Sequence, residues 1–373
     1  YSVPEIRLIL PRHEQGAVFA ADGYARVTGQ TGVCLATSGP GATNLVTGIA
    51  NANADSVPLV CFVGQVPTRL LGQSAFQEVS FTEMIRPVCK AAFAVRERTA
   101  LAETIREAFR TATSGRPGPV VVELPKDIQQ AYGEADYPVE PAVRVEPPCI
   151  SEHQLYAALE RLNQAQKPLF LIGGGIRIAQ ASQEMTLLAE KTGVPVVSTM
   201  MGKGALPSSH PMYVGNLGVH GSYAANTAVS QCDVLFAIGT RFSDRVMGAP
   251  EGFAKNASIV QIDIEPAPQF PEKILTITAD AKMALNALLR IARPLQTGAW
   301  NQQIRQWKKI HPLAATGSSL SPQHIFRALS KAFPEAIYCA DVGQNQLWAS
   351  QFLPLDEKCQ LLTSGGLGAM GYG

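Results

Sequence analysis

Charge is scarce in this sequence. Only 16% of its 373 residues are Asp, Glu, Lys or Arg, and 31 basic against 30 acidic side chains leave a formal net charge of +1. That balance excludes a basic stripe for a nucleic-acid backbone and an acidic tail. Aromatic residues are few as well, at 7%. Long apolar runs are missing: Leu169–Ile172 and Val57–Val63 fall far short of the ~20 residues of a membrane-spanning helix. None of the seven cysteines (Cys34, Cys61, Cys89, Cys149, Cys232, Cys339, Cys359) belongs to a CxxC pair. Several sit inside apolar runs and read as buried small hydrophobes in a reducing compartment, with no zinc site or disulfide framework. No histidine has a partner at metal-ligand spacing, so no metal ligand is assigned. A GxSxG elbow, a P-loop lysine motif and HExxH are all absent.

What remains is apolar and regularly punctuated. Hydrophobic residues make up 46%, enough for real cores and against extensive disorder. At roughly 150 residues per domain the length implies two or three domains. Short, Gly-bounded, β-branched runs alternate with Ala-rich or amphipathic stretches, which predicts an α/β fold with parallel sheets covered on both faces. In residues 1–135, helices are predicted at Gly16–Val27 and Leu101–Thr113, and from the Ser38–Asn44 turn to about Asn53. Strands are predicted at Val33–Thr37, Pro58–Val63 (ended by Gly64) and Val120–Leu124. Residues 136–150 are Pro-rich and read as a linker. A second α/β unit spans 151–292, with a helix capped by Ser151 carrying Leu155, Leu159 and Leu162 on one face. Its strands are expected at Leu169–Ile172, Val194–Thr199, Val234–Ile238 and Ile259–Ile264, and its further helices at Ile178–Lys191 and Gly221–Ser230. Residues 293–320, with a basic helix near Trp300–Lys309, read as a second linker. Pro322–Ala332 and Ala336–Cys339 then open a third βα unit over 321–373. Residue 1 is Tyr with no signal peptide before it, and Gly365–Gly373 stops in a glycine-rich turn; the expectation is a fragment cut at both ends.

Three glycine-bearing strand ends are where chemistry is expected: Ser38–Asn44, Gly173–Gly175 and Gly239–Arg245. In open parallel sheets ligands bind outside the carboxyl ends of strands, and glycine there lets backbone N–H groups approach a phosphate or a ring. Together the three favour a nucleotide-like or diphosphate cofactor. Arg241 and Arg245 suit a phosphate, or form a surface pair with Asp244. Asp263 at a strand end suits a ribose hydroxyl or a cap. By position alone Glu14 is a first-turn helix acid, His13 is structural, and His220 is a backbone contact or cap.

Several stretches are specific enough to indicate a family. Arg12–Ala17, Ala20–Arg26, Thr37–Asn44, Gly64–Pro67, Ala75–Glu78, Gly115–Val120, Pro125–Asp127, Leu217–Gly221, Asp341–Gln344 and Thr363–Gly373 resemble the acetohydroxyacid (acetolactate) synthase large subunits. These belong to the thiamine diphosphate-dependent enzymes. The motifs run in order through nearly the whole chain and are weakest at about 136–170 and 265–335. Departures fall at Ser243, where the family has an acid, and at Asn345, where it has His.

The resemblance implies three-layer parallel-sheet domains of thiamine diphosphate-binding type and a Rossmann-like FAD-binding middle domain. The domains would be pyrimidine-binding (1–135), FAD-binding (151–292) and the start of a pyrophosphate-binding domain (321–373). Glu14 would hydrogen-bond the aminopyrimidine ring of thiamine diphosphate and promote deprotonation of its thiazolium carbon. Pro40 and Asn44 would pack near that ring, and Gln65 would approach the reacting carbonyl. Phe76 and Lys126 would line the substrate channel. Met370 would support the bent cofactor, and Val342, Gly343 and Gln344 would approach its diphosphate. FAD, structural in this family, would be held by Arg116, Gly173, Gly174, Thr199, Met200, Leu217, Gly218, His220, Gly239, Arg241, Asp244, Arg245, Asp263 and Asp280. Ligands for Mg²⁺ are expected after Gly373, which would leave the chain as given inactive.

The implied activity is decarboxylation of pyruvate and its carboligation to a second 2-keto acid. That gives 2-acetolactate or, with 2-ketobutyrate, 2-aceto-2-hydroxybutyrate in branched-chain amino acid biosynthesis. A homodimer or homotetramer with the site at the subunit interface, a possible small regulatory subunit and a cytoplasmic location accompany it, with no nucleic-acid or membrane partner. The alternatives are another thiamine diphosphate enzyme, such as a pyruvate oxidase or 2-keto acid decarboxylase, and a non-catalytic FAD-binding protein.

Overall fold

The computed structural model describes residues 3–133, 150–265, 274–313, 320–355 and 359–373. All but the last residue of the linker expected at 136–150 lies outside the described residues. Two compact units form: Tyr1–Glu146 with Ser364–Tyr372, and Pro147–Thr363 with Gly373. Among the described residues no helix is long and apolar enough to cross a membrane.

The first unit carries four parallel strands, β1 (Gly32–Ala36), β2 (Leu59–Gln65), β3 (Ala91–Ala94) and β4 (Pro119–Pro125), in the order β1-β2-β4-β3. The apolar runs of β2 and β4 are buried, with Val60, Val120, Val121 and Val122 fully inaccessible, whereas β1 leaves Val33 and Leu35 exposed and β3 is only half-buried. The helix Glu14–Thr28 starts at His13, whose Nδ1 accepts the Gln15 N–H at 3.0 Å, and stops at left-handed Gly29. His13 thus has the structural role its position indicates. Two details differ from the sequence reading. The helix expected from the 38–44 turn to Asn53 is two, Pro40–Thr43 and Val46–Asp55, and Asn44 sits at the bend between them. β2 does not stop at Gly64. It continues to Gln65, paired with β4, because Gly64 marks a close backbone approach: a Cβ there would stand 3.1 Å from the Ser38 nitrogen.

The second unit holds a six-stranded parallel sheet of β5 (Pro168–Ile172), β6 (Val196–Ser198), β7 (Tyr213–Asn216), β8 (Val234–Ile238), β9 (Ser258–Asp263) and β10 (Ile274–Thr278). Their order across the sheet is β7-β6-β5-β8-β9-β10. This is the doubly wound dinucleotide-binding order, 3-2-1-4-5-6. One face is covered by the helices Glu152–Gln164, Ser182–Thr192 and Ala281–Ile291, the other by Tyr223–Gln231 and Gly298–Ile310. Ser151 caps the first of these helices through its Oγ, as its sequence pattern predicts. The helix expected over Ile178–Lys191 is broken into Gly174–Ile178 and Ser182–Thr192 by the left-handed residue Gln180.

The helix Gly298–Ile310 is not the linker its polar, basic composition implies. Trp300 and Ile304 are buried in the core, and Trp300 Nε1 donates to the Pro168 carbonyl at 3.0 Å. Two apolar anchors on one face suffice to seat a helix that is basic elsewhere. The same unit ends with a parallel pair, β11 (Ile337–Ala340) and β12 (Gln360–Thr363), accompanied by the helices Pro322–Ala332 and Gln344–Phe352.

Candidate functional site: two strand-end clusters

The carboxyl ends of β1, β2 and β4 gather the first unit's candidates. Glu14 occupies the first turn of its helix, where the dipole favours its charge. Its Oε2 accepts a hydrogen bond from Asn44 Nδ2 at 2.9 Å. That bond, with help from a backbone N–H and His13, holds the carboxyl below its ordinary value. A Cβ on Gly41 would stand 2.7 Å from Thr37 Cγ2 and 3.4 Å from Glu14 Oε1, so glycine keeps this side of the carboxylate clear. Pro40 and Asn44 are exposed on the same turn. Gly39, at φ 60°, lies against the next loop: a Cβ there would come within 2.9 Å of the Gln77 carbonyl.

That loop, residues 66–79, is tied down at three points. Gln65 Oε1 accepts the Val66 N–H at 2.8 Å and its Nε2 donates to the Val79 carbonyl at 2.9 Å, so the amide closes the loop's ends. Asp127 accepts from the Thr68 N–H and Oγ1, and Glu78 from the Gly72 and Ala75 N–H groups. These bonds pull both carboxyls below their ordinary values. Ser74 and Gln77 adopt positive φ, an uncommon conformation for residues with a Cβ. Phe76 stands between them, 88% exposed. Lys126, beside Asp127, is exposed as well.

A buried charge network holds the chain's last residues on this unit. Arg26 Nε reaches Asp22 Oδ1 at 2.6 Å and its Nη2 reaches Asp55 Oδ2 at 2.9 Å. The Tyr372 hydroxyl donates to Asp22 at 2.7 Å, and the guanidinium lies 5.4 Å from that ring's centre. Ser364 Oγ donates to Asn51 at 2.6 Å, and the Gly365 N–H to Asp55 at 2.9 Å. The two carboxylates raise the Arg26 pKa above its ordinary value even though burial opposes this. Met370, in the same segment, is exposed. The i, i+4 spacing of Asp22 and Arg26 is a signal sequence reasoning could have used; their partners far along the chain leave none.

The second cluster lies at the sheet's switch point. β5 and β8 are neighbours, but the chain leaves them in opposite directions across the sheet, which opens a crevice at their carboxyl ends. Gly173 and Gly174 follow β5, and Gly239 and Arg241 follow β8. Thr199 and Met200 follow β6, Leu217 and Gly218 follow β7, and Asp263 ends β9. One sheet edge therefore collects most of the residues expected to hold a dinucleotide. Gly173 and Gly239 meet backbone to backbone. Phe242 is wholly buried at φ 53°, a strained turn from which Arg241, Asp244 and Arg245 reach the surface. Asp244 and Arg245 pair loosely at 3.6 Å. Asp263 is buried, with Oδ1 accepting the Glu265 N–H at 3.2 Å. A hollow of about 240 Å³ beside Leu217 and Gly218 extends to Asn226, Met247 and Phe253.

Three expected residues have other local roles. Asp280 caps the helix Ala281–Ile291, with Oδ1 accepting the Met283 N–H at 2.9 Å. His220 is exposed and makes the expected backbone contact, its carbonyl accepting from Gln351 Nε2 at 3.0 Å, while the cap of the following helix is Ser222. Arg116 belongs to the first unit, where it bonds Ser56 Oγ at 2.8 Å and the Asn53 carbonyl at 3.1 Å.

Val342, Gly343 and Gln344 form the turn into the helix Gln344–Phe352, with Gly343 at φ 129°. Asp341 Oδ1 accepts the Val342 N–H at 2.8 Å, and Gln346 Nε2 ties the helix start to Thr363 Oγ1 at 2.7 Å. Among the described residues no group of three or more His, Cys, Asp or Glu side chains is placed to hold a metal ion.

Residues 1–84 match the thiamine pyrophosphate enzyme N-terminal TPP binding domain, and residues 155–288 the thiamine pyrophosphate enzyme central domain. The chain is 43% identical to the acetolactate synthase large subunit of Corynebacterium glutamicum, over 100% of its own length and 62% of that protein. It is 44% identical to the chloroplastic acetolactate synthase 1 of Nicotiana tabacum, over 99% of the chain and 57% of the relative. A probable acetolactate synthase large subunit of Methanocaldococcus jannaschii is 43% identical over 98% of the chain and 65% of the relative. The two thiamine pyrophosphate enzyme domains together cover more than half of the chain, which belongs to that family and is similar to acetolactate synthases. It spans 57–65% of the length of these three relatives.

Proposed function

We propose that this chain is part of the catalytic subunit of an acetolactate synthase, which condenses pyruvate with a second 2-keto acid, pyruvate or 2-ketobutyrate. The observation that carries the proposal is the Glu14–Asn44 pair, set beside Gly41 at the strand ends of a thiamine pyrophosphate-binding domain. Thiamine diphosphate, when bound, supplies the carbon nucleophile and electron sink for decarboxylation, and FAD is a structural dinucleotide.

The chain's own residues prepare that chemistry. Glu14, held by Asn44 at Oε2, would hydrogen-bond a ring nitrogen of the pyrimidine through Oε1, the oxygen beside Gly41, and exchange a proton there. Gly41 leaves the ring's edge room beside the carboxylate, and Pro40 would pack against the ring. Gln65 fixes the 66–79 loop, which presents Phe76 toward the substrate, and Lys126 attracts the keto acid's carboxylate. Gly343 and Gln344 offer backbone to the diphosphate, and Met370 an apolar support. The switch-point residues Gly173, Gly174, Gly239 and Arg241 hold FAD, with Thr199, Met200, Leu217, Gly218 and Asp263 around it. Mg²⁺ would accompany the diphosphate.

Exposure of Glu14's partner Asn44, of Pro40, Phe76 and Met370 in the single chain supports a site completed by a second subunit, in a homodimer or homotetramer. A three-domain organisation (1–135, 151–292 and from 321), a small regulatory subunit and a cytoplasmic location, which suits the buried cysteines Cys34, Cys61, Cys232 and Cys359, complete the proposal.

The test is to incubate the complete gene product with pyruvate, thiamine diphosphate, Mg²⁺ and FAD and to measure acetolactate. Acetolactate without net flavin reduction is the expected result. Flavin reduction by pyruvate would make the protein an oxidase, and acetaldehyde alone a decarboxylase.

A further inference from the structure

We infer that Lys203 and Asn216 couple the two cofactor sites of this chain: they are positioning residues through which filling the dinucleotide edge favours binding at Val342–Gln344, and the reverse. The inference rests on the cofactor assignment proposed above and goes beyond it. It starts from one carbonyl. In the helix Gln344–Phe352 the carbonyl of Ser350 would be met by the N–H of residue 354, but that residue is Pro354 and has none. The missing donor is replaced by side chains from elsewhere in the second unit. Lys203 Nζ donates to the Ser350 carbonyl at 2.5 Å and lies 3.4 Å from that of Ala349. Asn216 Nδ2 donates to the same Ser350 carbonyl at 2.6 Å and to Ser350 Oγ at 2.7 Å. Lys203 and Asn216 are both buried.

Both donors adjoin turns expected to touch the dinucleotide. Lys203 belongs to the turn opened by Thr199 and Met200: its N–H bonds the Met200 carbonyl at 3.3 Å, and the Gly202 N–H bonds Thr199 Oγ1 at 3.1 Å. Asn216 ends β7 directly before Leu217 and Gly218, and its Oδ1 accepts from Ser198 and Tyr213 at 3.0 and 2.7 Å. A ligand lying across Thr199, Met200, Leu217 and Gly218 therefore fixes the two turns that grip Ser350. The gripped helix is nine residues long, about 13 Å of rigid rod, and its other end opens on Val342, Gly343 and Gln344. Seating the carboxyl end of the rod seats its first turn. This gives a structural flavin a consequence for the second cofactor although it takes no part in the reaction.

The test is a pair of titrations of the complete gene product with Mg²⁺ present. Thiamine diphosphate is titrated into flavin-free and flavin-loaded protein, and FAD into protein with and without thiamine diphosphate. Coupling is reciprocal, so each cofactor should tighten the other by the same factor, on the order of tenfold. Lys203→Met and Asn216→Ala should each reduce that factor to within about twofold while FAD still binds, and Lys203→Arg should retain part of it. An unchanged factor in a variant that still binds FAD overturns the inference, as does a wild type whose two affinities are independent. A wild type that binds neither cofactor would instead bring down the functional proposal, and this inference with it.

Discussion

A Cβ on Gly173 would stand 2.0 Å from the carbonyl oxygen of Gly239. The turns after β5 and β8 touch through their backbones, and neither can move without opening the sheet between them. Gly239 itself has φ 61°, which a side chain would strain. Gly173→Ala should therefore destabilise the second unit by about 1–3 kcal/mol, as overpacking does. Gly252→Ala, at a position with nothing within 4 Å of the new methyl, should stay within about 0.5 kcal/mol of wild type. Urea denaturation of the two variants decides the matter, and equal stabilities would contradict the packing described.

The charge network on the first unit gives a graded prediction. Arg26→Ala leaves Asp22 and Asp55 buried without their cation and should cost about 3–5 kcal/mol. Tyr372→Phe removes one hydrogen bond to a buried carboxylate and should cost about 1–3 kcal/mol. Thermal unfolding is the measurement. A Tyr372→Phe protein as stable as wild type would show that the Ser364–Tyr372 segment is not held by this contact.

Lys203 predicts a pH dependence. Burial lowers its pKa to about 7, with Cys359 nearby pulling the other way. Unfolded, the amine keeps its ordinary value near ~10.4, so between the two the unfolded chain binds more protons than the native one. Stability should rise from about pH 7 toward pH 10, and the neutral amine still donates to Ser350. Lys203→Met should remove this rising limb. Melting temperatures of both proteins across that range test it, and parallel profiles would contradict it.

Much of this architecture is written in the local pattern. Continuous apolar runs such as Val234–Ile238 mark fully buried parallel strands, and Ser151 marks its helix through an N-cap bond that depends only on near neighbours. What escapes the pattern depends on distant partners. β10 is only half-buried at an edge of its sheet and lacks the apolar run of its neighbours. The helix Gly298–Ile310 carries linker-like composition because few apolar residues anchor it, Trp300 and Ile304 in the core with Trp307 packed against it. Of the site, the strand-end glycines stand out because the chemistry of a strand end is local, whereas Glu14 by position alone is a first-turn helix acid and is singled out by the family resemblance. The Asn44 contact to Glu14, 30 residues away, and the Lys203 contact to Ser350, 147 away, are not local. Gln65 shows the same limit: its amide closes its own loop, a role visible only once Val79 is placed.

Phe76 separates stability from function. A ring 88% exposed on a loop held by Gln65, Glu78 and Asp127 contributes little to folding. Phe76→Ala should keep the melting temperature, within about 0.5 kcal/mol, and raise KM for pyruvate in the complete gene product. A large loss of stability would place the ring in a core rather than in a substrate channel.

The central claim concerns the carboxylate at position 14. Glu14→Gln keeps the shape and the contact to Asn44 but removes the group that exchanges a proton with the cofactor ring. Acetolactate formation by the complete gene product should fall by about 10²–10⁴-fold in this variant, with the melting temperature preserved. A variant that makes acetolactate at the wild-type rate with both cofactors bound would show that Glu14 is only a first-turn helix acid.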